Sequence, residues 1–285
     1  MESQPNPPTA SGQLFIVATP IGNLGDITYR AVEVLKSVAV IGAEDTRTSR
    51  TLLAHYGIAT PMLAVHEHNE AKMATGLLER LRRGEDIALI SDAGTPLISD
   101  PGYRLVRELR AAGIRITPIP GPSSILAALC SAGLPTDAFT YLGFIPRSGK
   151  ARKAMLQEIA ASKYTTVLLE SPNRLSATLT DLAATAGSER EACVARELTK
   201  HFETIITASL SELADHFEAT PARGECVVLV GPKQAESEPA TDAEIAARLQ
   251  EPDVASLPPS ARAKAVAESL GIQKSRVYKL LLEQA

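Results

Sequence analysis

The feature that most constrains the fold is a loop-rich segment, residues 18–28 (ATPIGNLGDIT), which lies between two regular elements. It follows the apolar run 14–17 and precedes residues 29–36, whose apolar positions recur at helical spacing. A strand, a loop rich in glycine and proline, and then a helix are typical of the carboxyl edge of an α/β sheet. Backbone N–H groups point outward there and are free to bind a ligand. The sequence therefore predicts a small-molecule site at the end of the first strand.

The same strand, loop and helix order occurs twice more. The apolar run 87–90 leads into SDAGTP at 91–96, and the run 114–119 leads into PGPSS at 120–124. One such loop is ordinary turn chemistry, but three of them predict a shared ligand cleft. The chain contains neither G-x-G-x-x-G nor G-x-x-x-x-G-K-[ST], so the standard dinucleotide-binding and P-loop sites are excluded.

Composition limits the class of protein. A formal net charge of −4 argues against a uniformly basic surface, and 4% aromatic residues without Trp argue against a wall of stacked aromatics for nucleic-acid bases. Three separated cysteines, Cys130, Cys193 and Cys226, predict reduced core thiols. Because residues 1–12 lack a secretory pattern and no apolar stretch approaches membrane-spanning length, we expect a cytoplasmic protein.

The pattern along the chain predicts two α/β domains followed by a small helical tail. Strand-like and helix-like segments alternate in the first half, which indicates a mostly parallel sheet. Runs at 192–197 and 202–208 are too close for a crossover helix and predict an antiparallel hairpin. The expected divisions are a disordered arm at 1–12, α/β domains at 13–135 and 136–232, an acidic linker with one short helix at 233–254, and a helix-turn-helix-like tail at 255–285.

Six motifs occur in an order and spacing that resemble a known family. They are TPIGNL at 19–24, AEDTR at 43–47, HEHNE at 66–70, SDAGTP at 91–96, PGPS at 120–123 and ARELTK at 195–200. Together they resemble the bacterial 16S rRNA cytidine 2′-O-ribose methyltransferases of the tetrapyrrole methylase superfamily. The resemblance implies two α/β domains with a cleft for S-adenosylmethionine between them.

The resemblance also implies which residues bind the cofactor. Asp92 is the side chain expected at the ligand, with Gly94 and Thr95 giving close backbone approach, although Asp92 also suits an N-cap or Asx-turn. Ser123 and Ser124 suit helix capping and ligand binding equally well. The remaining expected cofactor residues are Pro20, Leu169, Glu170, Leu198, Thr199, Gly224 and Val227.

The candidates for catalysis follow the second and third strand-like runs. Glu44 and Asp45 are possible proton acceptors, with Arg47 available to hold a carboxylate or an RNA phosphate; an ion pair that caps the next helix is the alternative. His66 and His68 alternate on an extended segment, but no third ligand completes a metal site, so we expect no metal. Asn69 and Glu70 are expected to start the next helix.

Two basic clusters are candidates for RNA contact. Arg147, Lys150, Arg152 and Lys153 lie close together without an acidic residue, and the tail adds Lys274 and Arg276. A solvated helix start is the alternative for the first cluster. The resemblance implies a homodimer whose substrate is a cytidine in the decoding centre of 16S rRNA, in the small ribosomal subunit. Alternatives are a tetrapyrrole or protein methyltransferase of the same superfamily, or a non-catalytic nucleic-acid binder that senses a metabolite.

Overall fold

A computed structural model describes residues 11–66, 69–233 and 240–283 of the chain. The chain forms two compact units, Met1–Lys233 and Gln234–Ala285, called here the α/β unit and the helical unit. Most of the expected disordered arm, residues 1–10, lies outside the described residues.

The first half of the α/β unit contains a five-stranded sheet with the order β3-β2-β4-β1-β5, in which every pairing is parallel. Its strands are β1 (Leu14–Val17), β2 (Val40–Ala43), β3 (Met62–Ala64), β4 (Ile87–Ile90) and β5 (Ile116–Ile119). The intervening helices are α1 (Tyr29–Ser37), α2 (Thr46–His55), α3 (Glu70–Arg82), α4 (Tyr103–Ala111) and α5 (Ser124–Ser131). The predicted alternation is thus present, and all five strands end at the same edge.

Helices cover both faces of this parallel sheet. In β4, Ile87 and Leu89 pack into one hydrophobic cluster with α3 and α4, whereas Ala88 and Ile90 pack into another with α1 and α2. All four residues of β4 are buried. Strands covered by helices on both faces read as continuous apolar runs, which is the pattern seen in the sequence.

The second half contains a mixed five-stranded sheet with the order β6-β7-β10-β8-β9. The strands are β6 (Phe139–Phe144), β7 (Thr165–Glu170), β8 (Glu191–Arg196), β9 (Thr204–Ser209) and β10 (Cys226–Val230). The helices are α6 (Gly149–Ala161), α7 (Leu175–Ala186) and α8 (Leu210–Ala219). β8 and β9 form the antiparallel hairpin that their spacing predicts.

One hydrophobic cluster joins the two halves. Ile21 from the first loop and Ala128 and Leu129 from α5 pack with Val167 of β7 and Val227 of β10. Loops at the carboxyl edge of the first sheet are therefore held against the second sheet by contacts between apolar side chains. These contacts fix the walls of any cleft between the two halves.

The helical unit differs from the expected acidic linker and separate tail. Among the described residues from 240 to 255 there are two helices, α9 (Asp242–Leu249) and α10 (Pro252–Ala255), where one short helix was expected. The unit continues with α11 (Pro259–Leu270) and α12 (Lys274–Glu283). Ile245, Leu249 and Val254 are buried with Val266 and Val277 in one core. Acidic residues on the outer faces hid this amphipathic pattern in the composition, since burial depends on helical spacing and not on net charge. In the described residues, no helix is long and apolar enough to cross a membrane.

Candidate active site

Backbone hydrogen bonds bring the three predicted ligand loops together. Thr19 N donates to Gly94 O at 2.9 Å and Gly94 N donates to Thr19 O at 3.0 Å, an isolated antiparallel bridge between the first and second loops. Thr95 Oγ1 donates to Pro122 O at 3.2 Å and links the second loop to the third. The expected meeting of these loops at one edge is therefore observed.

A cavity of about 460 Å³, called here the cleft cavity, opens between these loops and the second sheet. The predicted residues that line it from the first half are Asp92, Gly94, Thr95, Ser123 and Ser124. Those that line it from the second half are Leu169, Glu170, Gly224 and Val227. Nine of the twelve expected cofactor residues thus share one cavity.

The other three expected cofactor residues lie elsewhere. Leu198 is buried in the core between the two halves. Thr199 has a left-handed backbone with φ of 65°, and its N–H donates to Glu203 at the turn between β8 and β9. Pro20 lines a smaller neighbouring cavity of about 220 Å³. Their role in cofactor binding stays a prediction of the resemblance.

Ser123 caps a helix and also lines the cleft cavity, whereas the carboxylate of Glu170 is held by donors from the protein. Ser123 is the N-cap of α5, and its Oγ accepts from Leu126 N while the residue also lines the cleft cavity. Glu170 is 2% exposed and its carboxylate accepts from Arg174, Thr178 Oγ1 and Ser171 N. Its charge is therefore used to hold the turn after β7.

A second cavity, of about 520 Å³, adjoins the cleft cavity and is called here the acidic cavity. Glu44, Ser99 and Asp100 line both cavities, so these residues form the junction between them. His66 and Glu70 line only the acidic cavity. The carboxyl ends of β2, β3 and β4 meet there, since each of these residues follows one of those strands.

Burial, reinforced by neighbouring carboxylates, raises the pKa of two side chains at the junction. Burial is the main cause for Glu44, and the charges of Asp100 and Asp92 add to the shift. Burial also raises the pKa of Asp100; a hydrogen bond from Ser91 partly offsets this, and Asp92 reinforces it. A carboxylate with a raised pKa is a better proton acceptor near neutrality than an ordinary one. The junction therefore has the properties of a site for proton removal.

Asp45 has a different environment from its neighbour Glu44. It is the N-cap of α2, its Oδ1 accepts from Arg47 N at 2.8 Å, and its carboxylate forms an ion pair with the Arg47 guanidinium at 2.7 Å. These hydrogen bonds lower the pKa of Asp45 to about 2. Asp45 and Arg47 thus form an ion pair that caps α2, which was the alternative to a catalytic role. Glu44 is therefore the better candidate for a general base.

Sequence reasoning missed Ser99 and Asp100 at the junction and the second-sheet residues Tyr141 and Phe144 in the cleft cavity. Ser99 Oγ and the Tyr141 hydroxyl lie 2.6 Å apart and connect the two halves. Ser99 has a φ of 65°, a left-handed conformation that is uncommon for serine and marks local strain. The turn signal SDPG at 99–102 was present in the sequence, but nothing in it showed which side chain points inward.

The basic residues also divide into two groups. Arg152 is paired with Asp181 at 2.6 Å with 14% of its side chain exposed, so it stabilises the packing of α6 on α7. Arg147, Lys150 and Lys153 are exposed at the start of α6. In the helical unit, Lys274 donates to Ser260 Oγ and Arg276 pairs with Asp242.

No group of three or more His, Cys, Asp or Glu residues in the described part of the chain is arranged to hold a metal ion. His68, which was weighed as a ligand with His66, lies outside the described residues. Glu70 begins α3, as expected from the sequence.

The two cavities and their motifs can be compared with known proteins. Residues 13–214 match the family model described as Tetrapyrrole (Corrin/Porphyrin) Methylases. A ribosomal RNA small subunit methyltransferase I from Pseudomonas aeruginosa is 48% identical, over 96% of this chain and 98% of the relative. The enzyme of the same name from Escherichia coli O157:H7 is 46% identical, over 100% of this chain and 99% of the relative.

The chain belongs to the ribosomal RNA small subunit methyltransferase I family. The resemblance inferred from the six motifs is thereby confirmed, and so is its placement among the tetrapyrrole methylases. The matches span nearly the full length of both chains. The chain is therefore a methyltransferase.

Solved structures of other methyltransferases have the same fold. A cobalt precorrin-4 methyltransferase superposes with a TM-score of 0.60 at 21% identity, over 77% of this chain and 94% of that one. A uroporphyrin-III C-methyltransferase from Thermus thermophilus, solved with S-adenyl homocysteine, superposes with a TM-score of 0.56 at 21% identity, over 77% of this chain and 97% of that one. At this identity the likeness concerns the fold alone. It confirms two α/β domains of the tetrapyrrole methylase type.

The raised pKa of Glu44 predicts a pH-dependent cost to stability. Burial and the nearby carboxylates disfavour ionised Glu44, so this cost is absent below its ordinary pKa of 4.5 and complete above the raised value. We expect Glu44→Gln to increase the free energy of unfolding at pH 8 by up to about 1 kcal/mol, because the site is partly screened by solvent. Urea unfolding at several pH values measures this, and the difference should close as the pH falls below 4.5.

Glu108→Gln is the matched control, since Glu108 is exposed on α4. It should change stability little, and equally at all pH values. A Glu44→Gln variant that is less stable than the wild type at pH 8 would contradict the prediction.

Proposed function

We propose that this chain is an S-adenosylmethionine-dependent methyltransferase that modifies 16S rRNA at the 2′-oxygen of a cytidine in the decoding centre. S-adenosylmethionine is its cofactor, and ribosomal RNA of the small subunit is its substrate. The observation that carries the proposal is the pair of adjoining cavities with Glu44 and Asp100 at their junction. Such an arrangement lets a donor and an acceptor meet beside a proton-accepting group.

The cleft cavity suits the cofactor. At about 460 Å³ it falls in the usual range for small-molecule sites, roughly 300–1,000 Å³. Ile98, Phe144 and Val227 offer apolar walls, and Asp92 offers a carboxylate for a hydroxyl pair or a positive charge. Gly94, with φ of 77°, allows the backbone to approach closely at a position where a side chain is strained.

The proposed reaction requires one proton transfer from the acceptor. S-adenosylmethionine held beside Asp92 and Gly94 would supply a methyl group from a positively charged sulfur to the ribose oxygen, in exchange for its carbon–sulfur bond, and would leave as a neutral thioether. Glu44 accepts the proton of the 2′-hydroxyl. Burial holds the pKa of Glu44 above its ordinary value, and the charges of Asp100 and Asp92 add to that effect. The protonated Glu44 carboxyl group then releases that proton to solvent.

Positioning contributes more than the base. Holding two reactants in line supplies about 7–11 kcal/mol of a barrier, whereas a general base contributes about 10²–10⁴-fold, or roughly 3–5 kcal/mol. The three linked loops and the Ser99–Tyr141 contact hold the walls of the two cavities in fixed positions relative to each other. The enzyme therefore depends first on the rigid edge of its sheet.

The RNA and the second subunit are further parts of the proposal. Exposed Arg147, Lys150 and Lys153 provide a basic edge for phosphates. In the helical unit, Lys274 adds an exposed cation, and Arg276 would contact RNA from its ion pair with Asp242. A homodimer would present these basic groups twice to one ribosomal particle. The place of action would be the cytoplasm, where small ribosomal subunits are assembled.

The product of the reaction tests the proposal directly. We expect labelled S-adenosylmethionine to transfer its methyl group to small ribosomal subunits that lack the modification. Nucleoside digestion and mass analysis should then identify 2′-O-methylcytidine. A labelled tetrapyrrole or protein, with unlabelled RNA, would refute the RNA acceptor.

One variant should weaken cofactor binding, and another should slow methyl transfer without weakening it. Removal of a charged hydrogen-bonding group weakens binding by on the order of 10- to 150-fold, which is the loss expected for Asp92→Ala. Glu44→Gln should leave cofactor affinity within about twofold and slow transfer by roughly 10²–10⁴-fold. Calorimetric titration and single-turnover kinetics measure the two effects.

Two controls sharpen this comparison. Asp92 Oδ1 accepts from Asp45 N at 3.0 Å, and Asp92→Asn keeps that acceptor while it removes the charge. Asp137→Ala removes an exposed carboxylate elsewhere and should bind the cofactor normally. Normal affinity in both Asp92 variants would remove Asp92 from the cofactor site.

The basic edge at α6 has its own test. Each lost phosphate contact lowers the slope of log affinity against log salt by about 0.7–0.9. We therefore expect Lys150→Gln with Lys153→Gln to reduce the salt slope of RNA binding by roughly 1.5. Filter binding over a salt series measures it. Lys163→Gln, at an exposed site beyond the far end of α6, is the control and should keep the wild-type slope.

A further inference from the structure

The acidic cavity has the size and position of an acceptor site. The cavity that contains Pro20 also adjoins the cleft cavity, but it measures about 220 Å³, below the usual range for ligand sites. The acidic cavity, at about 520 Å³, lies within that range. A ribose at the junction of Glu44, Ser99 and Asp100 would place its base deeper in the acidic cavity.

Glu70 presents a carboxylate to that cavity. The residue is 5% exposed, and its Oε1 accepts from Leu105 N at 2.6 Å near the start of α4. A carboxylate has two acceptor oxygens, so Oε2 can accept a hydrogen bond from an N–H group of a ligand in the cavity.

The nearby side chains suit a pyrimidine ring. Tyr103 is 66% exposed and lines the acidic cavity, so its ring is available for stacking on a base. Arg104, also exposed at the cavity, offers N–H donors. Together with Glu70, the wall presents both an acceptor and a donor to the edge of a base.

These groups distinguish cytosine from uracil. Cytosine carries an amino group at position 4 with acceptors at N3 and O2, whereas uracil carries an acceptor oxygen at position 4. A carboxylate oxygen that meets the amino group gains a hydrogen bond; one that meets the uracil oxygen is repelled. The fixed bond to Leu105 N prevents Glu70 from turning to avoid that repulsion.

We propose that the acidic cavity binds the base of the acceptor nucleotide and that Glu70 selects cytosine over uracil by accepting a hydrogen bond from the 4-amino group. This inference rests on the proposed function, since it names the specificity residue of the same site. Glu70 determines specificity through binding and takes no part in the transfer of the methyl group or the proton.

The decisive variant is Glu70→Gln, because its geometry is constrained. The glutamine oxygen must stay on Leu105 N, which turns the amide NH₂ group into the cavity. That donor repels the cytosine amino group and pairs with the uracil oxygen. The variant should therefore reverse the preference of the site without loss of the contact to α4.

The measurement is kcat/KM on two substrates. One is the reconstituted small subunit with the target cytidine, located from the wild-type product; the other has uridine at that position. We expect Glu70→Gln to lose on the order of 10-fold on cytidine and to gain relative to wild type on uridine. An unchanged ratio of the two rates, or an equal loss on both substrates, overturns the inference.

Two further variants keep the result interpretable. Glu108→Gln makes the same chemical change on the exposed face of α4 and should leave the ratio unchanged. Tyr103→Leu alters an exposed side chain, and it should reduce kcat/KM by roughly 5- to 150-fold through lost stacking while the cofactor Kd stays constant. Wild-type activity in Tyr103→Leu overturns the placement of the base even if Glu70→Gln does not fold.

Failure of the proposed function has a different signature. If the wild-type enzyme binds S-adenosylmethionine but yields no 2′-O-methylcytidine, the acceptor itself is wrong. If it yields that product and Glu70→Gln keeps the wild-type preference, only the role of Glu70 is refuted.

Discussion

The two backbone hydrogen bonds between Thr19 and Gly94 are the contact on which the rest of the site depends. They join the loops after β1 and β4, which are neighbours in the sheet, at N–O distances of 2.9 and 3.0 Å. Because Gly94 has a left-handed backbone, the second loop can turn back toward the first at this point. Without that pairing, the wall formed by residues 92–95 would lack a fixed position relative to β1.

The contact between the two halves follows from the same loops. Ile21 lies two residues beyond Thr19 and packs against the second sheet with residues of α5. Lys200 from the β8–β9 turn lies over Gly22, where a Cβ atom would come within 2.4 Å of its side chain. Glycine at position 22 thus lets the turn approach the loop. The first loop positions one wall of the cleft cavity and also receives the second half of the unit.

The carboxylates at the junction of the two cavities lower the stability of the fold, but they suit the proposed proton transfer. Glu44, Asp92 and Asp100 crowd negative charge at the carboxyl edge of the sheet, and burial raises the pKa of Glu44 and Asp100. A fold selected only for stability would separate these charges or pair them, as Asp45 is paired with Arg47 and Glu170 with Arg174. Carboxylates that form no ion pair with another described residue, beside carboxylates that do, mark the part of the sheet edge where proton transfer is useful.

The sequence by itself determined the strands, the parallel character of the first sheet and the hairpin of β8 and β9, because these depend on local patterns of apolar residues, glycine and proline. The loops and the resemblance together supplied nine of the residues that line the cleft cavity. The sequence motifs also determined the family. Only the tertiary structure decided that Arg152 is an internal ion pair, that Asp45 is a cap, and that Asp100 and Glu70 face a second cavity. It also decided that residues 242–255 join a helical core. The physical reason is that the direction of a side chain and its pairing depend on neighbours distant in sequence, which no local pattern encodes.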